Sequence, residues 1–175
     1  MIQFREMLYT RRSIRSFADR PLERETVDTL VQAALLSPSS RSIKPWEFIV
    51  VDKPEILTEL AGSKEHGSNF LGKAPLALVV IGIPGISDVW VEDCSIASLL
   101  VQLQAESLGL GSCWIQIRGR KHSGEVSSED FVKALLEIPG DRSVESIIAI
   151  GHPGETKSPY TREDLPFDKV HFNRY

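Results

Sequence analysis

Apolar residues along this chain fall into two kinds of pattern. Some recur with the spacing of one helix face, and others gather in short runs of strand length. Phe4, Met7 and Leu8 predict a short helix over 2–9. Val27, Leu30, Val31, Ala34 and Leu35 predict a clearer one over 24–36, broken by Ser37-Pro38-Ser39-Ser40-Arg41-Ser42. A short helix over 54–60 opens on Pro54. The longest spans 91–108, with Ile96, Leu99, Leu100, Leu103 and Leu108 as its apolar stripe and Gly109 as its stop. Ser127-Ser128-Glu129-Asp130 reads as an N-cap with acids in the first turn, opening a helix to about Glu137. Strands are expected over 46–51, 76–83, 112–117 and 144–150.

Helices and strands alternate after a helical start, which predicts an α/β or α+β domain around one central sheet. At 175 residues the chain suits a single domain. Four strands make a small sheet for that length. The tail from about 156 to 175 keeps Phe167, Val170, Phe172 and Tyr175 with no assigned partner. Both features predict a dimer that completes the core.

Composition narrows the class. The chain is 42% hydrophobic and 25% charged, which is globular. No apolar run approaches the length that spans a bilayer, and the first residues lack a basic region followed by an apolar stretch, so neither membrane insertion nor secretion is expected. Two cysteines, Cys94 and Cys113, suit a reduced cytoplasm. The net charge of −4 is uneven: residues 1–24 carry six arginines and three acids, and the remainder is acidic. Nucleic-acid binding needs a broad basic face and is not expected; a small anion is a better fit.

The arginines focus on Arg11-Arg12-Ser13-Ile14-Arg15-Ser16. In an extended chain Arg11, Ser13 and Arg15 share a face, a set suited to gripping phosphate. A solvated basic surface is the plainer reading. The loop from Ser37 to Trp46 offers hydroxyls, backbone N–H groups, Arg41 and Lys44, and reads either as a binding loop or as a helix stop. Gly109-Leu110-Gly111 closes a helix instead of opening one, so it is no dinucleotide fingerprint. The four histidines show no metal-ligand spacing, and no serine stands in a nucleophile-elbow context. Cys113 inside a strand reads as a structural thiol.

Three stretches in this order resemble the nitroreductase superfamily of flavin-dependent oxidoreductases: Arg11-Arg12-Ser13-Ile14-Arg15-Ser16-Phe17, Pro38-Ser39-Ser40 with Pro45-Trp46-Glu47-Phe48, and Leu108 to Ile115 after the long helix. The ending Val170-His171-Phe172-Asn173-Arg174-Tyr175 resembles the tails of short members. The resemblance implies an α+β fold with a central mixed sheet flanked by helices. It implies an obligate homodimer, its tail packed on the dimer, with FMN in each of two interface clefts and NADH or NADPH as transient reductant. It implies that Arg11, Arg12, Ser13 and Arg15 hold the flavin phosphate and ring edge. Pro38, Ser39 and Ser40 would reach the flavin from the other subunit, with Ser42 and Lys44 standing where the family usually has asparagine and glutamine. Asn69 matches a mid-chain flavin-contacting asparagine. Trp114, Ile115, Gln116 and Ile117 would pass the reactive N5 side, with Gln116 where many members carry glutamate. Arg162 and Arg174 are the candidates for a basic residue completing the phosphate site. The implied activity is ping-pong electron transfer to an acceptor such as a nitroaromatic or quinone. Narrower flavin chemistry (dehalogenation or flavin fragmentation) and a non-catalytic FMN-binding module are the alternatives.

Overall fold

The structure, a computed structural model, describes residues 4–175. Helix α1 spans Phe4–Thr10 and α2 Arg24–Leu35. Ile2 and Gln3, at the start of the first expected helix, lie outside the described residues. Strand β1 (Trp46–Val51), α3 (Pro54–Ala61) and β2 (Leu76–Gly82) follow, then the long α4 (Trp90–Ser107) and β3 (Gly111–Gln116). A small hairpin of β4 (Lys121–Ser123) and β5 (Val126–Ser127) leads into α5 (Ser128–Leu135) and β6 (Ser143–Gly151). That hairpin carries no apolar alternation and was not legible in the pattern. Ser127 caps α5, its hydroxyl accepting the Asp130 N–H at 3.0 Å.

The main sheet has the order β1-β2-β6-β3. All its strand pairs are antiparallel. The mixed character expected of it reduces to a parallel bridge between Ser13 and Ser112 on the outer edge of β3. Alternation along the central strands sends side chains into two cores. Ala77, Val79, Ile81, Ile147 and Ala149 pack with Leu57, Leu60 and Val132 from α3 and α5. Leu76, Leu78, Val80, Ile148 and Ile150 pack with Leu30 and Ala34 of α2 and with Cys94, Ala97, Val101 and Ala105 of α4. Between Val80 and Ile81 the register slips, leaving Glu145 as the extra residue of a bulge.

Helix α4 reverses one expectation. Its sheet-facing side is made of small residues, Cys94, Ala97, Ser98, Val101 and Ala105, while Ile96, Leu99 and Leu108 of the leucine-rich stripe are exposed. Small side chains let the helix axis approach the sheet closely, so the bulky stripe is turned away from it. Phe4, Leu36, Leu100 and Leu103 extend this apolar surface across α1 and α2. The helix ends as expected: Gly109 takes φ +70° and the Leu110 N–H returns to the Ala105 carbonyl at 2.9 Å.

Candidate functional site

The outer edge of β3 is where the predicted residues of the Arg/Ser stretch come to rest. The Ile14 N–H donates to the Ser112 carbonyl at 3.0 Å, laying the chain extended against the start of β3. Ile14 is buried and packs where a Cβ on Gly111 would meet it at 2.8 Å, so only glycine permits this approach. Alternation then turns Ser13 and Arg15 away from the core. Beyond Ser112 no described strand lies beside β3, so its outer backbone edge is uncovered.

The cations of this stretch divide. Arg11 and Arg15 have no ion-pair partner among the described residues. Arg15 lies over Phe70, 6.0 Å from the ring centroid, which brings in the Asn69–Lys73 turn and the exposed Asn69. Arg12 turns the other way. Its guanidinium donates to the Ser158 carbonyl and stacks on Tyr160 at 4.5 Å, so it ties down the tail and does not share the Arg11 and Arg15 side. Arg162 stacks on Phe167 at 5.0 Å within the tail, and Arg174 lies near its exposed end; neither is brought to Arg11 or Arg15.

Two residues that sequence reasoning passed over sit here. Lys157 Nζ donates to the Ser13 carbonyl at 2.7 Å and lies 3.7 Å from the Glu155 carboxylate. Glu155 accepts the backbone N–H groups of Arg15 and Ser16. The available signal was the Gly151-His152-Pro153-Gly154 turn, which brings the residues after β6 back to the Arg/Ser stretch; the Gly154 N–H bonds the Ser16 carbonyl at 2.8 Å. The Cys113 thiol faces this cluster. Burial pushes its pKa up, against the pull of Arg15, Ser13 and Lys157.

Further along β3 the expected residues part by face. The Trp114 Nε1 donates to Gln116 Oε1 at 3.0 Å, and the Gln116 Nε2 donates to the Arg118 carbonyl at 3.1 Å. Ile115 and Ile117 are buried in the core on the opposite face, so only their backbone can contribute to a site.

The Pro38-Ser39-Ser40 loop lies elsewhere. The Ser40 N–H donates to Asp93 Oδ1 at 2.9 Å and Arg41 pairs with Asp88 at 2.7 Å, fixing the loop at the start of α4. Ser39 Oγ accepts the Lys44 N–H at 2.8 Å. Arg41, Ser42 and Lys44 all carry positive φ near 55°. Each such residue costs on the order of 1 kcal/mol, and such strain collects at binding loops. Thr10, by contrast, bonds Glu106 at the end of α4 at 2.8 Å. At 1.5 Å per residue, about 20 Å of helix separates Asp93 from Glu106. One chain therefore anchors the Arg/Ser stretch and the Pro38-Ser39-Ser40 loop at opposite ends of α4.

The arrangement can hold an anion with Arg11 and Arg15, offer backbone hydrogen bonds along β3, and present a ring surface at Trp114 and Phe70. It gathers no metal-binding cluster among the described residues. An uncovered strand edge beside two unpaired arginines fits a planar heterocycle carrying a phosphate, which is the shape of FMN.

The nitroreductase family model matches residues 8–66 and 58–152 of this chain. A candidate NADH dehydrogenase/NAD(P)H nitroreductase of Archaeoglobus fulgidus is 35% identical over 97% of this chain and 97% of its own length. An NADPH-dependent FMN reductase of Bacillus subtilis is 31% identical over 97% of this chain and 73% of its own. Among solved structures, an FMN-dependent nitroreductase of Clostridium difficile superposes with a TM-score of 0.95 at 46% identity, covering 97% of this chain and 98% of the other.

Proposed function

This chain belongs to the nitroreductase family of FMN-dependent NAD(P)H oxidoreductases, and from that premise we propose that it works as a homodimer, passing electrons from NAD(P)H to an acceptor such as a nitroaromatic or a quinone. FMN, held by Arg11, Ser13 and Arg15, would supply the redox chemistry, carrying electrons from NAD(P)H to the acceptor in two separate half-reactions.

The chain's own residues bind, orient and exclude water. Arg11 and Arg15, with Ser13, hold the phosphate and the electron-poor edge of the ring. Asn69, on the turn beside Arg15, adds a polar contact. Cations near that edge favour the extra negative charge that reduction brings. Gln116, fixed by Trp114 and the Arg118 carbonyl, keeps a neutral amide where a charge would oppose it.

The observation that carries this reading is the uncovered edge of β3 beside Arg11, Ser13 and Arg15. The dimer is supported by the second finding, that Ser40 and Thr10 are anchored to residues of α4 about 20 Å apart. A second copy, packed on the exposed leucine stripe of α4, brings its own Ser39–Lys44 loop to the first copy's β3 edge, and the tail from 156 onward packs across the pair. The cytoplasm suits this enzyme, since it holds NAD(P)H and keeps Cys94 and Cys113 reduced. No helix among the described residues is long and apolar enough to cross a membrane.

The test is direct. Purified protein should be yellow, elute at twice 19.5 kDa, and oxidise NADH or NADPH with nitrofurazone or a quinone as acceptor. A colourless protein that takes up no FMN overturns the reading. Bound FMN without turnover of either nucleotide leaves only a flavin-binding module.

A further inference from the structure

Beyond β3 the chain enters a tight turn. The Arg120 N–H donates to the Ile117 carbonyl at 3.0 Å, and Gly119 takes φ +68°. That backbone is one that side-chain-bearing residues rarely adopt at the third position of a turn. The turn delivers Arg120 and Lys121 opposite Lys64, Glu65 and His66, and these residues line an open pocket. Its two walls are fastened together. The Glu65 N–H donates to the Lys121 carbonyl at 3.2 Å. The His122 Nδ1 bonds the Gly62 carbonyl at 2.8 Å, and its ring stacks on Phe131 at 4.1 Å. The cations are thus carried by a fixed frame.

Charge in this pocket is unbalanced. Lys64, Arg120 and Lys121 share it with one acid, Glu65, and none of the three lysine and arginine side chains has an ion-pair partner among the described residues. Lys64 is half-buried. Burial, and then the Arg120 charge beside it, pull its pKa below the ordinary 10.5. Lys64, partly desolvated beside the exposed Arg120, carries a charge that its surroundings disfavour, and an anion between the two lowers that cost. A guanidinium fork with an ammonium alongside matches a phosphate group.

The pocket adjoins the proposed flavin site. Lys64 lies within the electrostatic reach of Cys113 on β3, and it precedes Asn69 in the same loop. Gly119 and Arg120 follow Gln116 and Ile117 after one intervening residue, Arg118. In the proposed reaction only FMN and the dinucleotide carry phosphate, and the single FMN phosphate has Arg11 and Arg15. We propose that Lys64, Arg120 and Lys121 form a phosphate-binding pocket that takes a phosphate group of the pyridine dinucleotide reductant. This rests on the NAD(P)H reading above.

The experiment compares FMN-loaded wild type with Lys64→Gln, Arg120→Gln and the double variant. Calorimetry with ADP-ribose and with 2′-phospho-ADP-ribose measures binding without turnover. Each single variant should bind 2′-phospho-ADP-ribose roughly tenfold more weakly and the double variant roughly a hundredfold, each charge-assisted contact being worth about a factor of ten. The KM for the reductant should rise in parallel, with kcat unchanged. Weakening confined to the 2′-phosphate probe identifies the adenosine 2′-phosphate and a preference for NADPH. Equal weakening of both probes identifies the pyrophosphate. Lys64→Arg should retain most of the affinity. Probe affinities and KM values unchanged within about twofold of wild type overturn the proposal. So does a loss of FMN affinity in place of dinucleotide affinity, which would assign the pocket to the flavin's own phosphate. In both of those cases wild-type FMN binding and turnover still stand, so this proposal fails separately from the one it rests on.

Discussion

The Glu155 carboxylate closes on the backbone of Arg15, accepting its N–H at 2.6 Å and, from the same oxygen, the Ser16 N–H at 3.1 Å. The bond joins the segment after β6 to the Arg/Ser stretch and fixes the direction in which the Arg15 side chain leaves the backbone. The Arg15 N–H, aided by Lys157 and the Ser16 N–H, holds the Glu155 pKa below the ordinary carboxylate value of 4.5 although burial opposes it. A depressed folded pKa contributes stability above the unfolded value, and that contribution is lost as pH falls through the folded one. Glu155→Gln should therefore melt below wild type at pH 7, and the gap should close as the solution is acidified below the ordinary carboxylate value of 4.5. FMN affinity at pH 7 should drop about fivefold, since one charge-assisted anchor is removed. Thermal melts from pH 3 to 8 check the sign; a gap that widens in acid contradicts it.

Glu145 behaves in the opposite sense. It is the extra residue of the β6 bulge, 3% exposed, and its Oε2 has no hydrogen-bond partner. Burial pushes its pKa up, reinforced by Glu129 and Glu92, against the pull of Arg118 and Gln116. The folded state then holds this proton more tightly than the unfolded chain, so the residue's contribution worsens as pH rises from about 4.5 through the raised value. Glu145→Gln should match wild type near pH 4 and exceed it at pH 8 by about 1 kcal/mol. Denaturant titrations at the two pH values decide it.

Much of the fold was legible because its signals are local. Ser127 before two acids marked the start of α5, and Gly109 marked the end of α4, and both are set by hydrogen bonds between partners near in sequence. The apolar run of β2, bounded by Pro75 and Pro84-Gly85, has the length of a buried strand. What the pattern misassigned was the direction of the α4 stripe. A helix with leucines on one face and alanines on another has two apolar faces, and periodicity cannot say which meets the sheet. Ala97 is fully buried and Leu99 is 48% exposed because close approach to β2 and β6 favours the smaller side chains. At the site, alternation placed Ser13 and Arg15 on the side away from Ile14. It could not show that Arg12 is taken by Tyr160, or that Glu155 and Lys157 return to meet Ser13 and Arg15, since those partners lie more than a hundred residues apart.

Neither cysteine should matter for turnover. Cys94 is fully buried, and burial, with Glu145 and Asp93 nearby, raises its pKa to about 12. Cys113 is also raised by burial. Neither thiol is ionised at neutral pH, so neither is a ready nucleophile. The Cys94→Ala, Cys113→Ala variant should oxidise NAD(P)H within about tenfold of wild type once FMN-loaded, apart from a cavity cost to stability. Activity lost while the fold and FMN are kept would reveal thiol chemistry.

Riboflavin, which lacks the phosphate, separates the roles of Arg11 and Arg15. Each charge-assisted contact is worth about 1.5–3 kcal/mol, so Arg11→Ala or Arg15→Ala should weaken FMN roughly ten- to a hundredfold. An arginine on the phosphate leaves riboflavin affinity nearly unchanged; one on the ring weakens both ligands alike. Titration of the apo-proteins by flavin fluorescence gives the comparison. If neither variant weakens FMN, the stretch is a solvated basic surface.

The composite site makes a prediction that only a shared cleft satisfies. Take one chain carrying Arg11→Ala and Arg15→Ala, and another carrying Ser40→Tyr, which crowds the loop while keeping the backbone N–H that Asp93 accepts. Each homodimer should bind FMN poorly, because every cleft contains one lesion. In a heterodimer purified through two different tags, twofold symmetry sorts the lesions. One cleft takes its arginines and its loop from the damaged halves and carries both lesions. The other takes its arginines from the Ser40→Tyr chain and its loop from the arginine-deficient chain, and is intact. The heterodimer should therefore bind about half the FMN of wild type, at wild-type affinity, with about half the activity. If the site were built within one chain, across the roughly 20 Å of α4 between its two anchors, every cleft of the heterodimer would still carry one lesion and no tight binding would return.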